Sequence, residues 1–184
     1  MSTRQIQSGQ MDEAIRIIQE TVVPAATNMP GFKGGLLLTD RSTGKFITIA
    51  LWDTEADLRA YQVSSALDFL TTGPREREVF EVGAGESTLG RLGATRARVN
   101  YRQLQPDRMD EAISVYRDSV LPIVSARQGC VGGFVLTDSS TGKLVAVSLW
   151  ASEADMRASQ PPGDVDAIAG GPPVRELYEV NLQA

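Results

Sequence analysis

The chain has 184 residues, enough for one ordinary domain or two small ones, and its 42% apolar and 22% charged residues exclude wholesale disorder. A net charge of −5 argues against general nucleic-acid binding, which needs a basic surface. There is no histidine and a single cysteine, Cys130, which excludes intrachain disulfides, thiolate metal clusters, imidazole-built zinc sites, and Ser-His or Cys-His catalysis.

The opening residues, MSTRQIQSGQ, carry no apolar h-region, and no window approaches the roughly 18 apolar residues of a bilayer span. The expectation is therefore no membrane partner and, by default, a cytoplasmic location. Chemistry falls to Trp, Tyr, Asn, Arg, Lys, carboxylates and hydroxyls, with no cofactor motif.

In chain order, a short strand before Met11 is followed by an amphipathic helix, whose Met11, Ala14, Ile15, Ile18 and Val22 keep the spacing of one buried face. Pro24 limits or kinks this helix, and Pro30-Gly31 ends it. Phe32 to Asp40 and Lys45 to Trp52 read as a hairpin turned by Asp40-Arg41-Ser42-Thr43-Gly44, with Gly44 at positive φ. Thr54-Glu55-Ala56-Asp57 opens a second helix in the manner of a capping box with an acid at N3. That helix is expected to continue through Ala60 to Leu70, and Glu76 to Val82 is the last strand.

The pattern then begins again. The segment from Met11 lies over the segment from Met109 at an offset of 98, with about half of 50 positions identical and no gap. The offset carries Pro24 onto Pro122, Trp52 onto Trp150, and the Arg77 to Val82 strand onto Arg175 to Val180. The reading is a tandem duplication: repeat 1 over 1–86, a Gly-rich linker over 87–94, and repeat 2 over 95–184. Charge is split unevenly, 8 basic and 12 acidic residues before position 87, 10 and 11 after it. In repeat 2, Pro161-Pro162-Gly163 stops the second helix near Gln160, and residues 163–173 read as a loop over a cleft.

Each repeat is a βαββαβ unit, so the fold class is α+β: a four-stranded antiparallel sheet with both helices on one face. The bare sheet face of a half this small would be sticky. Two such ferredoxin-like halves are expected to pack sheet to sheet as an intramolecular barrel, an internal pseudo-dimer, with further homodimerisation left open.

Several motifs together resemble the antibiotic biosynthesis monooxygenase-like (ABM) group of the dimeric α+β barrel superfamily. They are Pro30-Gly31-Phe32-Lys33-Gly34-Gly35, the Thr39-Asp40 to Thr43-Gly44-Lys45 hairpin, and Leu51-Trp52 before the Glu55-Ala56-Asp57 helix. The resemblance covers nearly all of both repeats. It implies the barrel, built within one chain, and the range of activities in that group: cofactor-free oxygenation of aromatic polyketides, haem degradation, or none assigned. The haem-degrading branch uses a histidine as iron ligand, which this chain lacks. The group's tryptophan falls on Trp52 and Trp150, and an asparagine found on the first strand of some members falls on Asn100, with Ser2 at the corresponding place in repeat 1.

Period 2 places Phe46, Thr48, Ala50 and Trp52 on one strand face, and Leu144, Ala146, Ser148 and Trp150 on its repeat-2 counterpart. Small residues beside an indole leave room for a ligand, or each Trp is a core anchor. Arg96, Arg98, Asn100 and Arg102 share a face, as a cationic wall or as a solvated edge. Tyr116 and Tyr178 lack a tyrosine at their offset positions, so the two repeats are not equivalent; Cys130 reads as a small buried thiol.

The functional expectation is a cofactor-independent monooxygenase acting on a hydrophobic aromatic or polyketide-like substrate, with repeat 2 favoured. Asn100 and Trp150 would position and hydrogen-bond in catalysis; Trp52, Arg98, Arg102, Tyr116, Ser148 and Tyr178 would bind substrate; no metal or cofactor is expected. The alternatives are a non-catalytic small-molecule binder and a structural barrel protein with a filled cavity.

Overall fold

The fold is seen in a computed structural model, which describes residues 1–61, 65–85, 93–159 and 173–184. Most of the linker (86–92) and the Pro161-Pro162-Gly163 stop with its loop (161–172) lie outside the described residues.

The elements recur at the offset of the sequence repeat. Repeat 1 holds β1 (Ser2–Gln5), α1 (Met11–Ile17), α2 (Val23–Thr27), β2 (Phe32–Asp40), β3 (Lys45–Trp52), α3 (Glu55–Ala60), β4 (Glu76–Arg77) and β5 (Glu81–Gly85). Repeat 2 holds β6 (Arg96–Gln103), α4 (Met109–Val115), α5 (Leu121–Ser125), β7 (Cys130–Asp138), β8 (Lys143–Trp150), α6 (Glu153–Ala158) and β9 (Val174–Gln183).

Between α1 and α2, and between α4 and α5, the helix continues through a π turn, Ile18–Val22 and Tyr116–Val120. Pro24 and Pro122 follow within two residues. A proline ring cannot share space with the carbonyl four residues back, and the wider π turn removes that clash without breaking the rod. The hairpins close as expected: Gly44 and Gly142 have φ of 78° and 74°. Thr54 and Ser152 cap α3 and α6, each hydroxyl accepting from the N3 amide at 3.1 Å and donating to the N3 aspartate.

Two expectations are corrected. The second helix of repeat 1 does not run to Leu70: it ends at Ala60, where Tyr61 turns extended, and among the described residues beyond it the helical element is a 3₁₀ turn at Asp68–Leu70. The second helix of repeat 2 ends at the equivalent Ala158, so its stop precedes the prolines by more than a residue. The last strand of repeat 1 is also not continuous over Glu76 to Val82 but is split into β4 and β5.

The split has a physical reason in the two compact units of the chain. Unit 1 holds Met1–Glu78 with Glu179–Ala184, and unit 2 the described residues of 79–87 and 92–178. The unit 1 sheet runs β4-β1-β3-β2 and is extended at β2 by the end of β9, with Leu36 opposite Gln183 and Thr39 opposite Glu179. The unit 2 sheet runs from the first half of β9 through β6, β8 and β7 to β5, with Glu81 opposite Thr137 and Gly85 opposite Phe134. Each repeat's last strand thus begins in its own sheet and finishes in the sheet built on the other repeat's hairpin.

In unit 1 the helical face of the sheet, Leu37 and Phe46, packs with Met11, Ala14, Ile15 and Ile18. In unit 2 Val135 and Leu144 pack with Met109, Ala112 and Tyr116. The opposite aliphatic face, including Leu38, Ile47 and Ile49, is equally buried. No helix among the described residues is long and apolar enough to cross a membrane.

Removing Glu179–Ala184 should leave β2 without its outer partner, including the reciprocal backbone bonds of Gly35 and Ala184 at 2.8 and 3.0 Å. Stability should fall by about 2 kcal/mol or more, with faster amide exchange confined to unit 1 first. Denaturation and hydrogen exchange of the truncated chain test this; an unchanged midpoint would contradict the pairing.

Candidate functional site

Unit 1 holds a half-open cavity of about 110 Å³ between its helices and its sheet. Ile18, Val22 and Ala26 line it from the helical side, and Thr48 and Ala50 from β3. The space exists because the strand residues beneath the helices are small, so the sheet does not fill what the helices cover. An apolar cavity of about 150 Å³ holds benzene. The unit 1 space is somewhat smaller than that and is half open, so a ring seated in it would be only partly covered.

Its polar lining is sparse and cationic. Arg4 is buried, and its guanidinium donates to Asp68 Oδ1 at 2.6 Å; Arg77 also borders the space. Ser2 Oγ is buried with no hydrogen-bond partner. Two aromatic rings on the wall, Phe32 and Tyr61, flank Trp52: Phe32 meets the indole edge-on at 5.3 Å and Tyr61 lies tilted at 5.2 Å. The indole Nε1 is buried and unpartnered. Burial pushes the Tyr61 phenol above its ordinary pKa, opposed in part by the charges of Arg77 and Arg75.

Unit 2 treats the same positions differently. Trp150 is fully buried and its Nε1 donates to Ser148 Oγ at 3.0 Å. Ala50 stands at the Ser148 position of unit 1 and offers no acceptor, which is why Trp52 is left unsatisfied. The Arg98 guanidinium lies over the Trp150 ring at 5.5 Å and donates to the carbonyls of Met156 and, at 2.9 Å, Ser159 at the end of α6. Ser159 replaces Tyr61 in this repeat. Only about 40 Å³ remains.

The residues expected from the sequence are thus divided. Arg98, Asn100, Arg102, Tyr116 and Ser148 come together around the small unit 2 cavity, whereas Trp150 is on the wall of neither cavity. Tyr178 is buried elsewhere, its hydroxyl donating to Glu176. Arg96 leaves the row to pair with Glu153 at 3.2 Å. Trp52 stands against two rings of the larger, unit 1 cavity, so the more spacious site lies in repeat 1 rather than the favoured repeat 2. Arg4 and Arg77 were not singled out, although the offset carries them onto Arg102 and Arg175. Among the described residues no group of three His, Cys, Asp or Glu side chains is placed to hold a metal ion.

With this geometry in hand, the chain can be set beside known proteins. It matches no family model. An uncharacterized protein of Mycobacterium tuberculosis is 28% identical over 150 residues, covering 79% of this chain and 67% of that one; a second is 24% identical and is covered over 60% of its length. Among solved structures, a candidate monooxygenase of Fusobacterium nucleatum superposes with a TM-score of 0.70 at 9% identity, covering 97% of this chain and 88% of that one. An anthrone oxidase-like protein gives 0.63 at 13% identity, covering 100% and 90%. A Listeria monocytogenes ferredoxin-fold protein related to antibiotic biosynthesis monooxygenases gives 0.56 at 13% identity, covering 98% and 94%. The class of fold is α+β and ferredoxin-like. Within that class it is the fold of the ABM-like monooxygenase group, as the motifs around Trp52 and Trp150 lead one to expect.

The tyrosines provide a direct check on burial. The Tyr178 phenol is held far above its ordinary range, by burial first, then by its bond to Glu176 and by Tyr101. Both Tyr61 and Tyr178 are raised, so they favour the fold fully below the unfolded phenol pKa of about 10, and that contribution is lost as pH rises beyond it. An alkaline absorbance titration should therefore show Tyr61 and Tyr178 ionising late, together with unfolding. Four tyrosines titrating together near pH 10 in folded protein would contradict the packing.

Proposed function

We propose that the protein is a cofactor-independent monooxygenase that takes a hydrophobic aromatic or polyketide-like molecule into the unit 1 cavity. The observation that carries this reading is the meeting of apolar walls and aromatic rings with two guanidinium groups, Arg4 and Arg77, around one half-open cavity. The fold shared with a candidate monooxygenase and with an anthrone oxidase-like protein supports it.

The chemistry asks little of the protein. An anthrone-type ring that has lost its acidic CH₂ proton is itself the reductant of dioxygen. Attack of its carbanion on oxygen gives a hydroperoxide, which loses water to leave a carbonyl. A CH₂ becomes C=O, and the second oxygen atom departs as water. The site must hold the ring, favour the anion and keep water away from the intermediate.

Trp52, Phe32 and Tyr61 supply the ring surface, and Arg4 and Arg77 lower the pKa of the bound acid. The unpartnered Ser2 hydroxyl is the donor for a polar substituent. Ser2 and Trp52 are the counterparts of Asn100 and Trp150 across the offset, and the reading moves to them because unit 1 has the room.

Oxygen uptake with anthrone is the test. Ala50→Phe, which fills the cavity, should abolish both binding and uptake, and Arg77→Met should slow turnover by about tenfold, or about 1.4 kcal/mol. Uptake unchanged in Ala50→Phe would remove the cavity from the mechanism. Saturable binding with no uptake would replace the oxygenase by a non-catalytic binder.

A further inference from the structure

The floor of the unit 1 cavity contains one row of residues that face each other across the sheet. Arg77 of β4 stands opposite Ser2 of β1, and Ser2 opposite Thr48 of β3. Thr48 stands opposite Leu37 of β2, and Leu37 opposite Leu182 at the end of β9. All five line the cavity. Residues paired across antiparallel strands share a face, and neighbouring strands lie about 4.8 Å apart, so the row crosses about 20 Å. Along it the floor is graded: apolar towards β9, hydrogen-bonding and then cationic towards β4. Glu76, next to Arg77, stands opposite Thr3 and so points to the other face.

Repeat 2 shows such a row when the protein itself supplies the acceptor. The offset carries Arg77, Ser2, Thr48 and Leu37 onto Arg175, Asn100, Ala146 and Val135. Asn100 is again opposite Ala146, and Ala146 opposite Val135. There Asn100 Oδ1 accepts from Arg175 Nε at 3.1 Å. In repeat 1 the middle residue is the shorter Ser2, whose Oγ is buried without a hydrogen-bond partner. Thr48 adds a second hydroxyl where repeat 2 has the methyl of Ala146. A guanidinium and two hydroxyls thus border the place that an oxygen like that of Asn100 would occupy.

Their chemistry narrows the acceptor. Two hydroxyls and a cation match a carboxylate, whose two oxygens accept up to about four hydrogen bonds. Arg77 is exposed while lining the cavity, so an anion received there keeps part of its water and escapes the cost of full burial. The charges of Arg77 and Arg75 both reach the Tyr61 phenol on the wall, so positive potential extends beyond one side chain. Arg4, two residues further along β1, is engaged by Asp68 at 2.6 Å.

Resting on the proposed uptake of an aromatic molecule by this cavity, we infer that the molecule is an aryl carboxylate. Its ring lies over Leu37 and Leu182, and its carboxylate is held by Arg77, Ser2 and Thr48. The graded floor selects the acid and fixes which way round the ring enters.

Benzoate and benzamide are close in shape and differ in charge, which makes them the probes. Sodium acetate serves as a carboxylate without a ring, and sodium chloride as the control for ionic strength. Binding to the intact chain is followed through its amide and indole N–H resonances. Benzoate should bind about tenfold more tightly than benzamide or acetate, and chloride should not reproduce its shifts. Arg77→Met should bring the acid down to the level of the amide. Ser2→Asn copies repeat 2 and gives Arg77 an acceptor within the protein, so it should do the same, and it covers the case in which Arg77→Met fails to fold. Equal affinity for benzoate and benzamide, binding of neither, or a preference that survives in either variant would each overturn the proposal. Oxygen uptake from anthrone without a preference for benzoate would remove the carboxylate and leave the oxygenase; the preference without uptake would do the reverse.

Discussion

The structure depends on where the last strand of each repeat finishes. A β-sheet edge with a free row of amides and carbonyls is a liability, and β2 and β7 would each be such an edge if every repeat kept its whole last strand. Instead Glu179–Ala184 lies along β2 and Glu81–Gly85 along β7. The exchange satisfies those backbone groups within each unit and makes neither sheet complete without residues from the other repeat. Gly85 shows how close the fit is: at φ of 90° a Cβ there would meet Gly133 O at 2.3 Å. The helices, hairpins and cavities are all held on sheets finished in this way.

On that common frame a few substitutions make two different interiors. Ser148 in place of Ala50 gives one indole a partner and leaves the other without. Ser159 in place of Tyr61 removes a ring beside the indole, and there the Arg98 guanidinium lies over Trp150 and bonds the end of α6. Repeat 1 keeps an aromatic-walled space of about 110 Å³; repeat 2 keeps a cationic one of about 40 Å³. Differences at single offset-related positions are enough to alter what each helical layer covers.

Much of the scaffold was legible because its signals are local. Apolar spacing from Met11, the Gly44 turn and the Thr54 and Ser152 caps each answer to the chemistry of a few neighbouring residues, and the offset repeated the reading. The helix end at Ala60 was not, since nothing in Tyr61 to Leu70 forbids a helix by propensity; Tyr61 instead turns extended, with its ring against Trp52. The break between β4 and β5 was equally hidden, because Arg77 to Val82 looks like any strand until its second pairing partner is known. For the site, the arginine row around Asn100 was visible as a period-2 pattern, but the covering of Trp150 by Arg98 was not. Whether a small residue beside an indole leaves a void depends on a guanidinium arriving from another strand, and Arg98 arrives only in unit 2.

The exchange of last strands is tested most directly by cutting the chain between the repeats. A specific protease site placed within residues 86–92 and cleaved under native conditions should yield two fragments that run as one particle by size exclusion and native mass spectrometry, separating only in denaturant. Fragments that part without denaturant into two folded particles would show that each repeat completes its own sheet, and would contradict the account.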